Sequence, residues 1–520
     1  MQTANKHAFW VTALYLCGMI AERGAVFLML PFITCHLDPS EFGAYSLLVL
    51  SGTVLNYFVV SPPLQALERF FYEPTYEKDR GSLLGSLVLV LVCKALVAAT
   101  LYSFATALLF QSQGIAVRAY TAVVLLSPVS SMFLLFLQLT ERALVCVIVS
   151  VLSVVIGSGI SIVCLVGYGL GPESLVFGSI VQSGLVVAST LPFVLMEARW
   201  CFRWRIVADP LRWGYSLLPA AYSDLILQSG DRYILAGYCG TEAVGIYDLG
   251  YRVSSAISLL LSQPAKRGLH PLILKMERNP VAQKRFIRTC ALWIYLLGLL
   301  LAVALATFSR EIIIFVARDS SYWPAWTIVP VIVFAYVQHG IGQFLNYGIV
   351  MAKKGSADNI CVLFAATSNV LLNLVLIPQF GIIGAAFATL VSFLLWNSLK
   401  LLYSWRLYGL TFDLWLMGHA SAVALSMVGL AITVDLCARL SPLALTAVKA
   451  GCIIGFPVGL CLTGFFTISQ LQAVTSLFGS CWSKIVWKSA NSGNGLAGQT
   501  DVNDQQNRQS HQVAEAGVLR

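Results

Sequence analysis

Residues 83–109 read LLGSLVLVLVCKALVAATLYSFATALL, a run of 27 residues in which Lys94 is the one charged side chain. The hydrocarbon core of a bilayer is about 30 Å thick, and an α-helix needs about 20 apolar residues to cross it. The run is therefore long enough and apolar enough to span a membrane. It predicts a transmembrane helix.

The rest of the chain repeats this pattern. Of its 520 residues, 58% are hydrophobic and 11% are charged, whereas about a quarter of the residues of a soluble domain are charged. The sequence predicts an all-α polytopic membrane protein with about 14 transmembrane helices. The apolar runs are 8–35, 43–66, 83–109, 119–139, 143–167, 174–196, 214–238, 245–265, 289–309, 326–350, 359–378, 383–403, 413–437 and 446–467.

The loops between these runs differ in charge. With the N-terminus inside, 23 of the 33 lysines and arginines fall in inner loops and tails. The outer loops hold four, which are Arg118, Arg310, Arg318 and Arg439. Because cytoplasmic loops carry an excess of positive charge, this asymmetry predicts that both termini are cytoplasmic. It also explains the net charge of +9 without a nucleic-acid partner.

A long basic loop, 197–213, follows the sixth run and predicts a division of the chain into two six-helix lobes, 1–200 and 201–410. Residues 411–470 would then add two transmembrane helices. In the tail, 471–520, the segment CWSKIVWK (481–488) mixes tryptophan with lysine and predicts an interfacial segment. From Ser489 onward the polar composition predicts disorder.

The two lobes show a weak internal repeat. A shift of 202 residues places Gly43 on Gly245, Tyr45 on Tyr247, Pro62 on Pro264 and Glu22 on Asp224. Both lobes begin on the same side, so the repeat would be parallel, with a pseudo-twofold axis along the membrane normal. Two such lobes predict a cavity between them, although the repeat could also reflect packing alone.

Several charged side chains fall inside the predicted spans, where each costs several kcal/mol unless it is paired or faces water. The first helix carries Glu22 and Arg23, and the third carries Lys94 near its midpoint. For Glu22 and Arg23, a structural partner on another helix is an alternative to a role in the cavity. Lys94 is too central to reach the interface easily, which favours the cavity.

The seventh run carries Asp224, Gln228, Asp231 and Arg232 at i, i+4, i+7 and i+8. This spacing predicts one shared polar face. In the eighth run, Asp248 and Arg252 are four residues apart; they either face the cavity or pair along one helix.

Asn369 and Asn373 are also four residues apart, and we interpret them as hydrogen-bonding contacts between helices. The 13 cysteines form no CxxC pair and no Cys/His cluster at zinc spacing, so no metal site or cofactor is predicted.

Three stretches together resemble the polysaccharide transporter family. They are LDPSEFGAYSLL (37–48), GDRYILAGYCGTEAVGIYDLGYRV (230–253) and NVLLNLVLIPQFGIIGAAFATL (369–390). This family includes the O-antigen and exopolysaccharide flippases of the multidrug/oligosaccharidyl-lipid/polysaccharide exporter superfamily. The resemblance covers about the first 410 residues.

The resemblance implies an alternating-access flippase in a bacterial inner membrane, not an enzyme. It would move a polyprenyl diphosphate-linked oligosaccharide to the outer leaflet and hand it to a polysaccharide polymerase complex. The substrate-binding candidates are Arg23, Lys94, Arg232 and Arg252, because Arg and Lys bind diphosphate. The ion-coupling candidates are Glu22, Asp224 and Asp231.

Two alternatives remain open at this level. A drug exporter of the same superfamily would bind a small cation and need no groove for a lipid tail. A polysaccharide polymerase or a glycosyltransferase belongs to a different class, the membrane enzymes. Such enzymes place catalytic groups in sizeable outer loops, and the largest outer loop predicted here, 310–325, is short.

Overall fold

The structure is a computed structural model that describes residues 2–109, 115–437 and 441–465. All regular secondary structure in these ranges is helical. Residues Met1–Phe456 form one compact unit. Most of the predicted tail, including the interfacial segment 481–488, lies outside the described residues.

The first six runs correspond to six long helices. One of these helices begins at a proline and another begins at an arginine. These helices are α1 (Gln2–His36), α2 (Pro39–Phe70), α3 (Arg80–Leu109), α4 (Ile115–Leu139), α5 (Ala143–Ile162) and α6 (Glu173–Glu197).

The second half contains more and shorter helices. They are α7 (Trp204–Ser216), α8 (Leu218–Ser229), α9 (Asp231–Ser254), α10 (Gln263–Lys275), α11 (Pro280–Thr307), α12 (Ser309–Val316), α13 (Val329–Leu345), α14 (Tyr347–Met351) and α15 (Gly355–Tyr408). The last two are α16 (Leu414–Cys437) and α17 (Pro442–Leu462).

The motif at 37–48 shows how the sequence sets a helix boundary. The Asp38 side chain accepts a hydrogen bond from the backbone N–H of Glu41 at 2.8 Å, and the Glu41 side chain accepts one from the backbone N–H of Asp38 at 3.2 Å. This capping box, with Pro39 at the first helical position, satisfies backbone groups that the start of α2 would leave unpaired.

Ten helices of the described residues are long and apolar enough to cross a membrane, and a bent pair adds an eleventh. Helix α15 has 54 residues and breaks at Gly381, so it holds both the eleventh and the twelfth predicted runs. The seventh and eighth runs lie in the shorter helices α8, α9 and α10. Each predicted run thus corresponds to helical structure, and the all-α polytopic fold class is confirmed.

The prediction of a loop at 197–213 is wrong in its conformation, and a second basic segment is also helical. Most of 197–213 forms the amphipathic helix α7, which buries Val207 and Leu211. The segment 266–288 contains most of α10 and the start of α11, so that the connection between them is only 276–279. The charged residues of these segments favoured the prediction of loops.

Helices α2 and α9 approach each other closely at the two repeat-related glycines. A Cβ atom on Gly43 would lie 1.9 Å from the carbonyl oxygen of Thr241, and one on Gly245 would lie 1.9 Å from that of Pro39. The hydroxyls of Ser40 and Thr241 are 2.7 Å apart. These contacts join the predicted halves where the motifs at 37–48 and 230–253 meet; the repeat itself remains an interpretation.

Candidate functional site

Helix α9, which breaks at Gly240 into two helical segments, carries four ionisable side chains that form one network. Arg232 lies between two carboxylates, with Nη1 3.2 Å from Oδ1 of Asp231 and Nε 3.1 Å from Oδ1 of Asp248. Arg252 places its Nε 2.7 Å from Oδ2 of Asp248. Two carboxylates and two guanidinium groups balance in charge. We call these four residues the α9 network.

Side chains of α9 itself and of two other helices supply hydrogen bonds to the α9 network. Tyr247 donates its hydroxyl to Oδ2 of Asp231 at 2.6 Å, and Thr389 of α15 donates to the same oxygen at 3.4 Å. Ser46 of α2 donates to Oδ2 of Asp248 at 2.9 Å. The network therefore connects α9 to both α2 and α15.

The α9 network is removed from solvent. Asp231 is 1% exposed, Arg232 is 7% exposed and Asp248 is 6% exposed. Buried charges are tolerated only when they are paired and hydrogen-bonded. The guanidinium carbon of Arg232 also lies 4.5 Å from the centroid of the Tyr251 ring, a cation–π contact. This is a polar site enclosed by apolar helices.

Asp248 and Arg252 lie in direct contact on α9. The two residues do pair along one helix, but Asp248 also binds Arg232. The predicted substrate-binding arginines Arg232 and Arg252 therefore share one carboxylate partner. A substrate anion could reach either guanidinium only by competing with Asp248.

The polar side chains of the seventh run divide between two sets of contacts. Helix α8 ends at Ser229 and α9 begins at Asp231, with Gly230 in a helical conformation between them. Gln228 donates its side-chain amide to Oδ2 of Asp224 at 2.6 Å, while Asp231 and Arg232 belong to the α9 network. One link remains, because Arg232 also donates to the backbone carbonyl of Gln228 at 3.2 Å.

A second polar cluster surrounds Lys400 of α15, which is 2% exposed. Its Nζ lies 3.5 Å from Oδ1 of Asp358 and 3.5 Å from the centroid of the Trp396 ring. Asn346, which directly follows α13, donates to the other oxygen of Asp358 at 3.1 Å. We call Lys400, Asp358, Asn346, Trp396 and His339 the Lys400 cluster.

His339 joins this cluster by stacking on Trp396, with ring centroids 5.6 Å apart and planes inclined by 17°. Asp224 interacts electrostatically with both His339 and Lys400. Among the described residues, His339 Nδ1 and Trp396 Nε1 are buried without a hydrogen-bond partner. The predicted ion-coupling residue Asp224 binds Gln228 and lies outside the α9 network.

Sequence reasoning missed the Lys400 cluster. Neither Lys400 nor any histidine was among the predicted site residues. The available signal was the spacing of Trp396 and Lys400, four residues apart in a run with no other charge. Its partners come from α13 and from the first part of α15, which no local pattern could reveal.

Lys94 lies apart from both groups. Its Nζ donates to the backbone carbonyl of Phe58 on α2 at 2.6 Å, and it lies 4.8 Å from the ring centroids of both Phe58 and Tyr215. Its partners are thus a carbonyl and two aromatic rings, and no carboxylate within the described ranges forms an ion pair with it. The lysine is half-buried between α2, α3 and the amphipathic helix α7.

Glu22 and Arg23 lie in the middle of α1, where Glu22 is half-buried and Arg23 is exposed. In the part of the chain that the structure describes, neither residue forms an ion pair. Helix α1 packs mainly along α5, so Glu22 and Arg23 are not brought into the α9 network. The seven predicted site residues therefore occupy four separate places.

Asn369 and Asn373 were predicted to bond between helices, and this interpretation is wrong. Asn373 donates its amide to Oδ1 of Asn369 at 2.9 Å within α15. Both side chains are fully buried. The side-chain nitrogen of Asn369 and the side-chain oxygen of Asn373 have no partner among the described residues.

A third buried charge, Lys449 of α17, connects the last two helices to α12. Its Nζ lies 2.6 Å from Oε1 of Glu311 and 3.3 Å from Oδ2 of Asp435 on α16. Lys449 is 1% exposed. The lysine therefore holds α16, α17 and α12 in one arrangement.

Two cavities with mainly apolar walls open among these helices. One of about 540 Å³ lies between α11, α13, α15 and α16, and its lining includes Phe334, Phe387, Leu414 and Val428. The other, of about 490 Å³, lies between α1, α9, α11 and α12, and its lining includes Phe27, Val253, Phe308 and Phe315. Apolar walls of this kind suit aliphatic chains rather than ions.

The fold and its buried charges define a class of protein, the polytopic all-α membrane transporters. A family model described as "Polysaccharide biosynthesis protein" matches residues 36–323. This match covers more than half of the chain, so the chain belongs to that family. It is the polysaccharide transporter family that the three sequence stretches resemble.

A curated relative and solved structures agree with this assignment. "Probable flippase AglR" of Haloferax volcanii is 30% identical over 245 residues, which cover 44% of this chain and 48% of the relative. The chain thus spans about half the length of that relative. The fold is similar to "Lipid II flippase MurJ, inward closed conformation", with a TM-score of 0.64, 15% identity and coverage of 88% and 98% of the two chains.

The fold is also similar to the Vibrio cholerae MATE transporter VcmN, with a TM-score of 0.56, 13% identity and coverage of 78% and 97%. At such identities the likeness to solved structures concerns the fold alone. Together the comparisons show the family and a fold shared with the flippase and MATE transporter structures. Flippases and transporters are consistent with the expectation that this protein is not an enzyme.

Proposed function

We propose that this protein is a flippase for polyprenyl diphosphate-linked oligosaccharides. It moves them by alternating access from the inner to the outer leaflet of a bacterial inner membrane, for exopolysaccharide, capsule or O-antigen synthesis. Both termini are cytoplasmic in this proposal. The family assignment and the name of the curated relative support the substrate class.

The observation that carries the proposal is a pair of cations without carboxylate partners. In the described residues, Arg23 and Lys94 lie within membrane-spanning helices and form no ion pair. An unpaired cation in a span is costly unless it serves a ligand or faces water. A diphosphate group would supply the missing negative charge, and Arg23 could bind it through two hydrogen bonds.

Arg232 and Arg252 would act later in the cycle. Each is paired with Asp248 in this structure, so neither is free for an anion. Binding of diphosphate to Arg252, which is less buried than Arg232, would release Asp248 from one of its two partners. Such an exchange would link the substrate to the contact between α2 and α9.

Ion coupling in this proposal belongs to the acidic residues Glu22, Asp224 and Asp231. Asp231 is bound to Arg232 and Tyr247, whereas Asp224 is bound to Gln228 and adjoins the Lys400 cluster. A carboxylate that changes partners between two conformations can take up or release a cation in only one of them. The two acidic residues sit in different clusters, so each can be tested separately.

The apolar cavities support a lipid-linked substrate over a small cation. A drug exporter needs no long apolar surface for a tail, whereas the cavity between α11, α13, α15 and α16 has about 540 Å³. The membrane potential also favours outward movement of an anion, by about 2.3 kcal/mol per charge per 100 mV in an inside-negative cell. A polysaccharide polymerase complex would use the product.

The test is a leaflet assay for the lipid-linked oligosaccharide in cells that lack the protein. We expect accumulation on the inner leaflet, reversed by the wild type but not by Arg23→Ala at equal protein level in the membrane. Arg118→Ala is the matched control, because Arg118 is an exposed arginine on α4. Normal outward movement without the protein or another carrier would reject the flippase and favour a drug exporter.

A further inference from the structure

The connection between α6 and α7 is an extended segment fixed onto α3. The backbone N–H of Arg199 donates to the carbonyl of Gly81 at 2.8 Å. The hydroxyl of Ser86 donates to the carbonyl of Cys201 at 3.2 Å and accepts from the N–H of Arg203 at 3.2 Å. We call residues 199–205, RWCFRWR, the strap.

Small residues on α3 allow this close contact. A Cβ atom on Gly85 would lie 2.2 Å from the carbonyl oxygen of Arg199, and one on Gly81 would lie 2.6 Å from that of Glu197. The backbone of the strap thus occupies the space that side chains on α3 would fill. The main-chain hydrogen bonds of the strap with α3 hold this conformation.

The strap exposes three aromatic side chains at alternate positions. Trp200 is 46% exposed, Phe202 is 51% exposed and Trp204 is 61% exposed. Burying them in a protein core would have been favourable, and the structure leaves them outside it. They lie beside the ends of two membrane-spanning helices, since α6 ends at Glu197 and α3 begins at Arg80. This is the depth at which a bilayer meets water.

Arginines alternate with these aromatic residues. Arg199, Arg203 and Arg205 are all exposed. The structure pairs Arg203 with Asp79 at 3.3 Å, a contact between two exposed side chains, and such contacts contribute little stability. The strap therefore carries a cationic edge that the protein itself does little to neutralise.

We propose that the strap binds anionic phospholipid headgroups of the inner leaflet. Tryptophan and phenylalanine side chains fit the interfacial zone, and arginine binds the phosphates of anionic lipids electrostatically. The strap thereby anchors the connection between the two predicted lobes to the membrane surface. This inference rests on the proposed orientation, in which the strap faces the cytoplasm.

The test uses the full-length protein with Cys201 as its only cysteine, labelled with a fluorophore. Cys201 is exposed within the strap. The protein is placed in phosphatidylcholine vesicles containing a fixed fraction of brominated lipid, either phosphatidylglycerol or phosphatidylcholine. From the attraction of basic segments to anionic lipid, we expect an association constant for phosphatidylglycerol at least about threefold higher.

Two triple variants localise the effect. Arg199→Gln with Arg203→Gln and Arg205→Gln should remove the preference. Lys275→Gln with Arg278→Gln and Arg285→Gln removes the same charge from another basic segment, where all three side chains are exposed, and should preserve it. Equal quenching by both lipids in the otherwise unchanged protein, or a preference that survives in the strap variant, would overturn the proposal.

The orientation is tested separately in intact cells. A membrane-impermeant thiol reagent should reach Cys201 only after the cells are opened. Labelling from outside would reject the inner-leaflet partner and the proposed orientation together. In contrast, equal quenching by both lipids in the protein with an unchanged strap, with Cys201 inside, would reject the lipid site alone and leave the flippase proposal standing.

Discussion

Asp248 is the residue on which the α9 network depends, since it alone binds both Arg232 and Arg252. We expect Asp248→Asn to lower the free energy of unfolding by about 3–5 kcal/mol, because the buried Arg232 keeps only Asp231 and Arg252 loses its carboxylate partner. Thermal unfolding of the purified protein in detergent measures the change. Asp79→Asn breaks the exposed pair with Arg203 and should cost less than about 1 kcal/mol. Equal effects of the two substitutions would contradict the importance of burial.

Lys400 offers a second test at the same scale, through a double-mutant cycle with Asp358. Lys400→Met should destabilise the protein, because the carboxylate of Asp358 loses its cation. Adding Asp358→Asn should then cost less than it does in the wild type, by about 0.5–3 kcal/mol of coupling energy. Additive effects of the two substitutions would show that the 3.5 Å contact contributes nothing. Chemical or thermal unfolding of the four proteins gives the coupling directly.

The sequence predicted individual charges well but not their partners. Arg232 and Asp231 could be recognised because a charge inside an apolar run is rare and costly. The contact of Arg232 with Asp248 depends on the helix break at Gly240 and on the packing of α9 against α2. No local spacing encodes these two features. The same limit explains why His339 and Lys400 were not connected before the structure placed them on neighbouring helices.

At the scale of helices, the contact of α2 with α9 depends on the absence of side chains. A Cβ atom on Gly43 would meet backbone, not a flexible side chain, so the two helices would have to separate. We expect Gly43→Ala to destabilise the protein by about 1–3 kcal/mol, the usual cost of overpacking. Gly237→Ala on α9 is the control, since nothing lies within 4 Å of the added atom. The thermal unfolding temperature of that control should be unchanged or higher. A similar loss of stability in both variants would exclude a specific contact.

The long helices were predictable and the short ones were not. A run such as 83–109 is determined by composition alone, because lipid requires the backbone to bond within its own segment. The amphipathic helix α7 carries three arginines within or beside a short apolar stripe, so its charge suggested a loop. The spacing of Val207, Leu211 and Gly214 at i, i+4 and i+7 was the available signal of a helix with one buried face.

At the scale of the whole molecule, the family and the fold class followed from the sequence, while the conformational state did not. Motifs at 37–48 and 230–253 are local, and they identified the family before any contact was known. Which ends of the helices touch is a property of one state of the transport cycle. In the structure, the start of α2 contacts the segment after Gly240. This contact corresponds to closure at the proposed outer side.

In the proposed alternating-access mechanism, this contact opens during each cycle. Ser40 and Thr241 place their hydroxyl oxygens 2.7 Å apart, so Ser40→Cys with Thr241→Cys should form a disulfide between α2 and α9, in a background where Cys35 and Cys239 are serine. We expect oxidation to stop outward movement of the lipid-linked oligosaccharide in the leaflet assay and a reductant to restore it, because the crosslink holds the outer side closed. Ser40→Cys alone and Thr241→Cys alone, in the same background, should each transport equally well with and without oxidant. Full transport by the crosslinked protein would show that the two helices never separate at this point, and the path of the substrate would then have to lie elsewhere.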